Sequence, residues 1–241
     1  MTGTTITREP EREAQILRWR EPVVCCDMVW EKNYARFETP EEEIEKFIRR
    51  FRKLGASEWA PDARILDLFC GRGNGLKALE RLGFKHLEGV DLSEQLLAQY
   101  SGPAQLYVGD AGELKLGDAC IDIVSVQGGL HHLPNLEKDL DRVLSEIHRV
   151  LKSDGRFVLV EPWETTFLSM IHFMCRQPML CGAWGKLGAL ASMIERERQT
   201  YLHWLQQPQF VLSALSQFFV PELQQTSWGK LNFVGRKLDI R

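Results

Sequence analysis

From residue 62 onward, short apolar segments alternate with helical ones, and this alternation restricts the fold more than any other feature of the chain. Arg64–Phe69 (RILDLF), His86–Asp91 (HLEGVD), Gln105–Asp110 (QLYVGD), Ile121–Gln127 (IDIVSVQ) and Arg156–Pro162 (RFVLVEP) read as five strands. Amphipathic stretches separate them. At about 135–152, Leu136, Leu140, Val143, Leu144, Ile147 and Leu151 recur at helical spacing. Strands spaced by helices are joined by right-handed crossovers and form a parallel sheet.

A helix over about 40–54 precedes this pattern. Thr39 can cap it, Pro40 suits its first turn, and Glu42 completes a capping box. Glu41, Glu42 and Glu43 lie at its start and Arg49, Arg50, Arg52 and Lys53 at its end, which complements the helix dipole. After Pro162 the rhythm breaks: residues 163–208 are helical material rich in Met, Trp and Leu, read as a lid insertion. A helix at about 209–219 follows, then strands at Leu223–Trp228 and Leu231–Lys237 joined by a tight Gly229-Lys230 turn. The expected fold is α/β: a seven-stranded, mostly parallel, doubly wound sheet with a terminal antiparallel hairpin and a helical lid. Residues 1–38 are expected to be a separate N-terminal segment, polar and mobile over 1–20, and 39–241 the main domain.

Composition narrows the functional classes. Thirty basic against 33 acidic residues leave a net charge of −3, which argues against a bulk polyanion binder. Cysteines at 25, 26, 70, 120, 175 and 181 form no C-x-x-C, and no His/Cys spacing suits zinc, so no metal is expected. The opening MTGTTITREPEREAQ has no apolar core of a signal peptide. The most apolar stretch, Phe167–Ile194, is interrupted by Arg176, Pro178 and Lys186, so no membrane span is expected. A cytoplasmic protein with reduced thiols is the expectation.

Ligands of open parallel sheets bind beyond the carboxyl ends of the strands, where this chain places unusual residues. The first strand runs into Asp67-Leu68-Phe69-Cys70-Gly71-Arg72-Gly73-Asn74-Gly75, whose glycines allow a tight turn before a helix N-terminus. Asp67 could accept from a ligand ammonium. The second strand ends at Asp91, placed to accept from a ribose diol, with Leu92 beside it to pack on a purine. The third ends in Gly109-Asp110-Ala111, where Asp110 could accept from an exocyclic amine. These residues describe a nucleoside site with a cationic amine at one end. A dinucleotide fingerprint needs G-x-G-x-x-G; Gly71-x-Gly73-x-Gly75 lacks that spacing, and Asp67 would repel a pyrophosphate.

The segments ILDLFCGRGNG (65–75), LEGVDLS (87–93), VGDAGEL (108–114), IDIVSVQGGLHHL (121–133) and EIHRVLKSDGRFVLVEP (146–162) resemble, in order and spacing, the class I S-adenosylmethionine (SAM)-dependent methyltransferases. The resemblance covers about 40–241 and is strongest over 62–162. It implies that Asp67, Gly71 and Gly73 hold the methionine part of SAM, Asp91 the ribose, and Asp110 and Ala111 the adenine, with Gln127 near the methyl group and Phe69 and Leu92 also among the cofactor-binding residues. Phe69 stands where many members have glycine, although others also carry Phe. An aromatic N-terminal segment such as Trp30, Tyr34 and Phe37 folds over the cofactor in similar enzymes.

The acceptor side is less specified. His132 and His131 follow the fourth strand, and His suits a general base. His132 is the preferred base or acceptor-orienting residue, and Glu161, at the fifth strand's end, a candidate for acceptor contact. The lid residues Phe167, Met170, Phe173, Met174, Met179, Trp184 and Met193 could line an apolar acceptor pocket or serve as core. The expected function is SAM-dependent methylation of a small, partly apolar molecule, most readily at oxygen. Alternatives are N- or C-methylation, RNA or protein methylation, and a methyltransferase-like binding subunit without turnover.

Overall fold

The computed structural model describes residues 15–23 and 28–239. Strands β1 (Ile16–Arg18), β2 (Arg64–Leu68), β3 (His86–Asp91), β4 (Gln105–Val108), β5 (Ile121–Gln127), β6 (Leu151–Pro162), β7 (Phe219–Ser227) and β8 (Lys230–Lys237) form one sheet in the order β1-β4-β3-β2-β5-β6-β8-β7. The first six pair in parallel; β8 runs antiparallel to β6 and β7.

Helices α1 (Met28–Phe37), α2 (Pro40–Lys53), α3 (Asn74–Arg81), α4 (Glu94–Leu97) and α5 (Leu136–Val150) accompany the parallel strands, and α6 (Thr166–Cys175), α7 (Pro178–Ala183), α8 (Gly185–Arg196), α9 (Arg198–Gln206) and α10 (Pro208–Phe218) fill the interval before the hairpin. The central strands read as unbroken apolar runs because both sheet faces are covered. Phe51, Leu76, Leu79 and Leu97 pack on one face; Val143, Ile147, Trp204 and Leu215 pack on the other. Burying each such side chain stabilises the fold by roughly 1.5–3 kcal/mol before conformational entropy is set against it. Thr39 and Glu42 form both halves of the expected capping box on α2.

Two expectations are corrected. The sheet has eight strands, not seven, because Ile16–Arg18 adds in parallel to the edge strand β4. Residues 15–20 are thus tied down: Trp19 donates its N–H to Val108 O (2.9 Å) and stacks on Tyr107 with ring centroids 4.2 Å apart. The expected mobility of residues 1–14 lies outside the described residues, as do Cys25 and Cys26. The hairpin also turns one residue earlier than expected. Trp228 (φ 50°) and Gly229 (φ 73°) both take left-handed conformations, the signature of a tight hairpin turn of the I′ kind.

Candidate active site

The site is built at the carboxyl ends of β2 through β6. The chain leaves β2 through Phe69 at φ 56°, then Gly71 at φ 53° and Gly73 at φ 76°, and enters α3. Left-handed backbone costs a non-glycine residue on the order of 1 kcal/mol, and Phe69 carries that strain. The Phe69 ring is accommodated by Gly129, where an added Cβ would lie 2.4 Å from the ring. Gly75 serves Asp67 in the same way: its missing Cβ would sit 2.6 Å from Oδ2.

Asp67 is buried, and burial pushes its carboxyl up to about 7. Its Oδ1, and both amide atoms of Gln127 at the end of β5, are buried with no hydrogen-bond partner among the described residues. Asp91 Oδ2 accepts from Gly71 N (2.8 Å) and Oδ1 from Ser93 N (2.8 Å), so the carboxylate is aimed by two backbone donors and retains lone pairs for a diol. Burial raises its pKa also. Leu92 lies half-buried beside it, and its carbonyl accepts from Val23 N at 3.2 Å.

Asp110 is less free than the sequence suggests. Its Oδ1 accepts from Gly112 N (2.8 Å), and Oδ2 faces Arg142 (3.2 Å) and Arg20 (3.3 Å). The two arginines come from α5 and from the segment after β1, a juxtaposition that no local signal reveals. Ala111 is buried beneath.

The N-terminal helix closes over the glycine-rich loop. Glu31 pairs with Arg72, whose guanidinium lies 5.5 Å from the Tyr34 ring centroid. Tyr34 donates to Glu43, which also accepts from Asn74 Nδ2 (2.8 Å), the first residue of α3. Trp30 stacks on Tyr34 at 4.9 Å, and on the same helix Asn33 donates Nδ2 to Ser192 Oγ of the lid at 2.9 Å. Phe37 ends the helix half-buried.

Opposite this helix lies the Gly128–Leu133 turn, anchored by Glu161. That residue is fully enclosed: Oε1 accepts from Gly129 N and Leu130 N, both at 2.7 Å, and Oε2 meets His131 Nδ1 at 2.7 Å. All three of these hydrogen bonds run to the Gly128–Leu133 turn, so the carboxylate itself faces inward. Sequence reasoning ranked His132 first; the structure leaves His132 exposed at the lid edge, its Nδ1 3.6 Å from Glu197 Oε1. Burial raises the pKa of Glu197 to about 7. Ligating atoms of His131, His132 and Glu197 all lie within 4.8 Å of one another.

The lid residues divide. Met193 enters the core, whereas Met170, Phe173, Met179 and Trp184 are exposed. A cavity of about 370 Å³ opens between α6 and α9, lined in part by His172, Phe173, Arg176 and Leu202. Tyr201 links it to the His turn, meeting His172 Nε2 at 3.0 Å and packing edge-on against His131 at 5.9 Å. His203 is not brought to the site; it pairs with Glu137 on the surface.

The SAM parts fit these residues. A buried carboxylate oxygen with no partner suits an ammonium, the aimed Asp91 suits a diol, and the glycines leave the backbone free to approach. Comparison with known proteins agrees. Residues 66–159 match the family described as "Methyltransferase domain". The chain is 33% identical over 132 residues to a demethylmenaquinone methyltransferase of Lactobacillus johnsonii, covering 50% of each chain. It is also 33% identical over 153 residues to a ubiquinone/menaquinone biosynthesis C-methyltransferase of Acidiphilium cryptum, covering 58% of this chain and 57% of that one. The chain therefore spans about half the length of the curated relatives it matches. Among solved structures, the PH0226 protein of Pyrococcus horikoshii superposes with a TM-score of 0.64 at 19% identity, covering 87% of this chain and 98% of that one. A Methanococcus maripaludis protein described as a putative SAM-dependent methyltransferase superposes with a TM-score of 0.60 at 13% identity, covering 92% and 99%. Those two likenesses concern the fold. Residues 66–159 thus match a methyltransferase domain, set in a fold that the chain shares with both solved structures, and the residues at its strand ends are suited to hold S-adenosylmethionine.

Proposed function

We propose that the protein methylates a small molecule carrying an acidic hydroxyl on an apolar body, such as a phenol or quinol, with His131 as general base. When bound, SAM supplies an electrophilic methyl group on a sulfonium. Asp67 and Asp91 bind and orient it, and α1 with Tyr34 and Trp30 helps to exclude water. The observation that carries the reading is the Glu161–His131 pair. Because ionised Glu161 only accepts, it holds the proton of His131 on Nδ1 and leaves the Nε2 lone pair to take a proton. The His131 ring stands over Gly128, next to Gln127: Cε1 is 3.9 Å from where a Gly128 Cβ would be.

Deprotonating a hydroxyl makes its oxygen nucleophilic, and in a phenol also the adjacent ring carbon. The expected preference for oxygen draws no support from the relatives, whose names include a C-methyltransferase. Carbon beside a phenolic hydroxyl is accordingly the favoured acceptor atom.

Glu161→Gln tests the pair with little change of shape. Its amide oxygen can still accept from Gly129 and Leu130, but its NH₂ donates to Nδ1 and moves the His131 proton to Nε2. Methyl transfer from radiolabelled SAM to a panel of phenols and quinols should fall about 10²–10⁴-fold, and SAM affinity should hold. Unchanged turnover in Glu161→Gln and His131→Ala would remove the base; no transfer to any member of the panel by the unaltered protein would remove the acceptor class.

A further inference from the structure

Helices α6 and α7 are the most apolar helices at the surface, yet neither has a buried residue. On α6, Phe167, Met170 and Phe173 recur every three residues and share one side of the helix. Met170 and Phe173 are 51% and 63% exposed. Phe167 meets Trp228 of the hairpin turn edge-on at 5.1 Å, and Trp228 is itself exposed. On α7 and just after it, Met179, Leu180 and Trp184 continue the exposed set. Single exposed apolar side chains are ordinary, but a connected group of large ones marks a docking face.

Charge identifies what docks there. The sequence from Thr166 to Ile194 contains no Asp or Glu, in a chain with 33 of them, and its charged residues are Arg176 and Lys186. Alongside, α1 presents Met28, Lys32 and Arg36 at successive four-residue steps, all exposed. The Arg36 guanidinium reaches the Trp184–Gly185 junction, 4.0 Å from where a Gly185 Cβ would stand. Lys186 lies on the border, paired with Glu42 at 2.9 Å. An apolar face of Phe, Met and Trp with a basic border complements the headgroup and upper acyl region of an anionic lipid bilayer. A second copy in a two-fold contact would instead bring basic border against basic border.

We propose that the outer face of α6 and α7, bordered by Arg36 and Arg176, docks on an anionic lipid surface. No described helix is long and apolar enough to cross a membrane, so the attachment is peripheral. The proposal does not depend on the methyl-transfer reading, since vesicle binding is measured without acceptor or turnover. The full chain should sediment with phosphatidylglycerol-containing vesicles, weakly with phosphatidylcholine alone, and its tryptophan emission should shift to the blue.

Doubly substituted Phe173→Glu, Met179→Glu should lose that binding at least tenfold. Both side chains are exposed, so its circular dichroism and melting should match the unaltered protein. Arg36→Gln and Arg176→Gln should each weaken binding to anionic vesicles by about fivefold and leave phosphatidylcholine binding alone. Three results would overturn the proposal: no sedimentation with anionic vesicles, equal binding by the Phe173→Glu, Met179→Glu protein, or light scattering showing a dimer that this pair of changes dissociates.

Discussion

Asp67 is the residue on which the proposed cofactor site turns. Its carboxylate lies inside the sheet layer, and burial raises its folded pKa from 3.8 to about 7. Between those values the folded apo-protein binds a proton that the unfolded chain lacks. This group's contribution to stability is therefore fully present below pH 4 and is lost as pH rises toward 7. Asp67→Asn removes the ionisation. Urea unfolding of the apo-protein at pH 8 should find the variant more stable by up to about 4 kcal/mol, the gain vanishing near pH 4. A variant destabilised equally at both pH values would show that the carboxylate is satisfied internally. The sequence made Asp67, Asp91 and the glycines legible because position at a strand end determines their surroundings. It could not tell which of His131 and His132 faces Glu161, 30 residues away, since adjacent residues of a turn differ only in that respect.

At the scale of elements, the glycine-rich turn and the edge strand show where local signals suffice and where they fail. Gly71-x-Gly73 announces a left-handed turn, and both glycines have positive φ. Gly73 is further confined by Tyr100, whose Cδ2 would be 2.4 Å from an added Cβ. Gly73→Ala should cost roughly 1–3 kcal/mol in thermal unfolding, combining left-handed strain with displacement of that ring. An unchanged melting temperature would mean that the turn relaxes at no cost. Strands β2 to β6, buried on both faces, announce themselves by apolar runs. Strand β1 does not: Ile16-Leu17-Arg18 is three residues long with one half-buried side chain, and its pairing with β4 is settled by backbone bonds and by Trp19 on Tyr107. Helices α6 to α9 were legible as helical, but not which sides they expose, because their apolar residues surround the axis rather than forming one stripe.

Across the whole molecule, α1 meets the lid through Asn33 and Ser192, and one sheet covered on both faces holds the carboxyl ends of five parallel strands in register. That arrangement was predictable from alternation alone; the arginines around Asp110 were not, because Arg20 and Arg142 lie 122 residues apart (142 − 20) and meet only when the sheet is assembled. The central claim is that Asp67 and Asp91 grip the two ends of one SAM molecule. Isothermal titration of SAM into the full chain near pH 7, in buffers of differing ionisation enthalpy, tests it most directly. The unaltered protein should bind one SAM and release about half a proton, as the ammonium ionises the half of Asp67 that is protonated at that pH. Asp67→Asn and Asp91→Ala should each bind about 10–100-fold more weakly, with proton release lost in Asp67→Asn. Equal affinity in all three proteins, or no binding heat in any of them, would contradict the account.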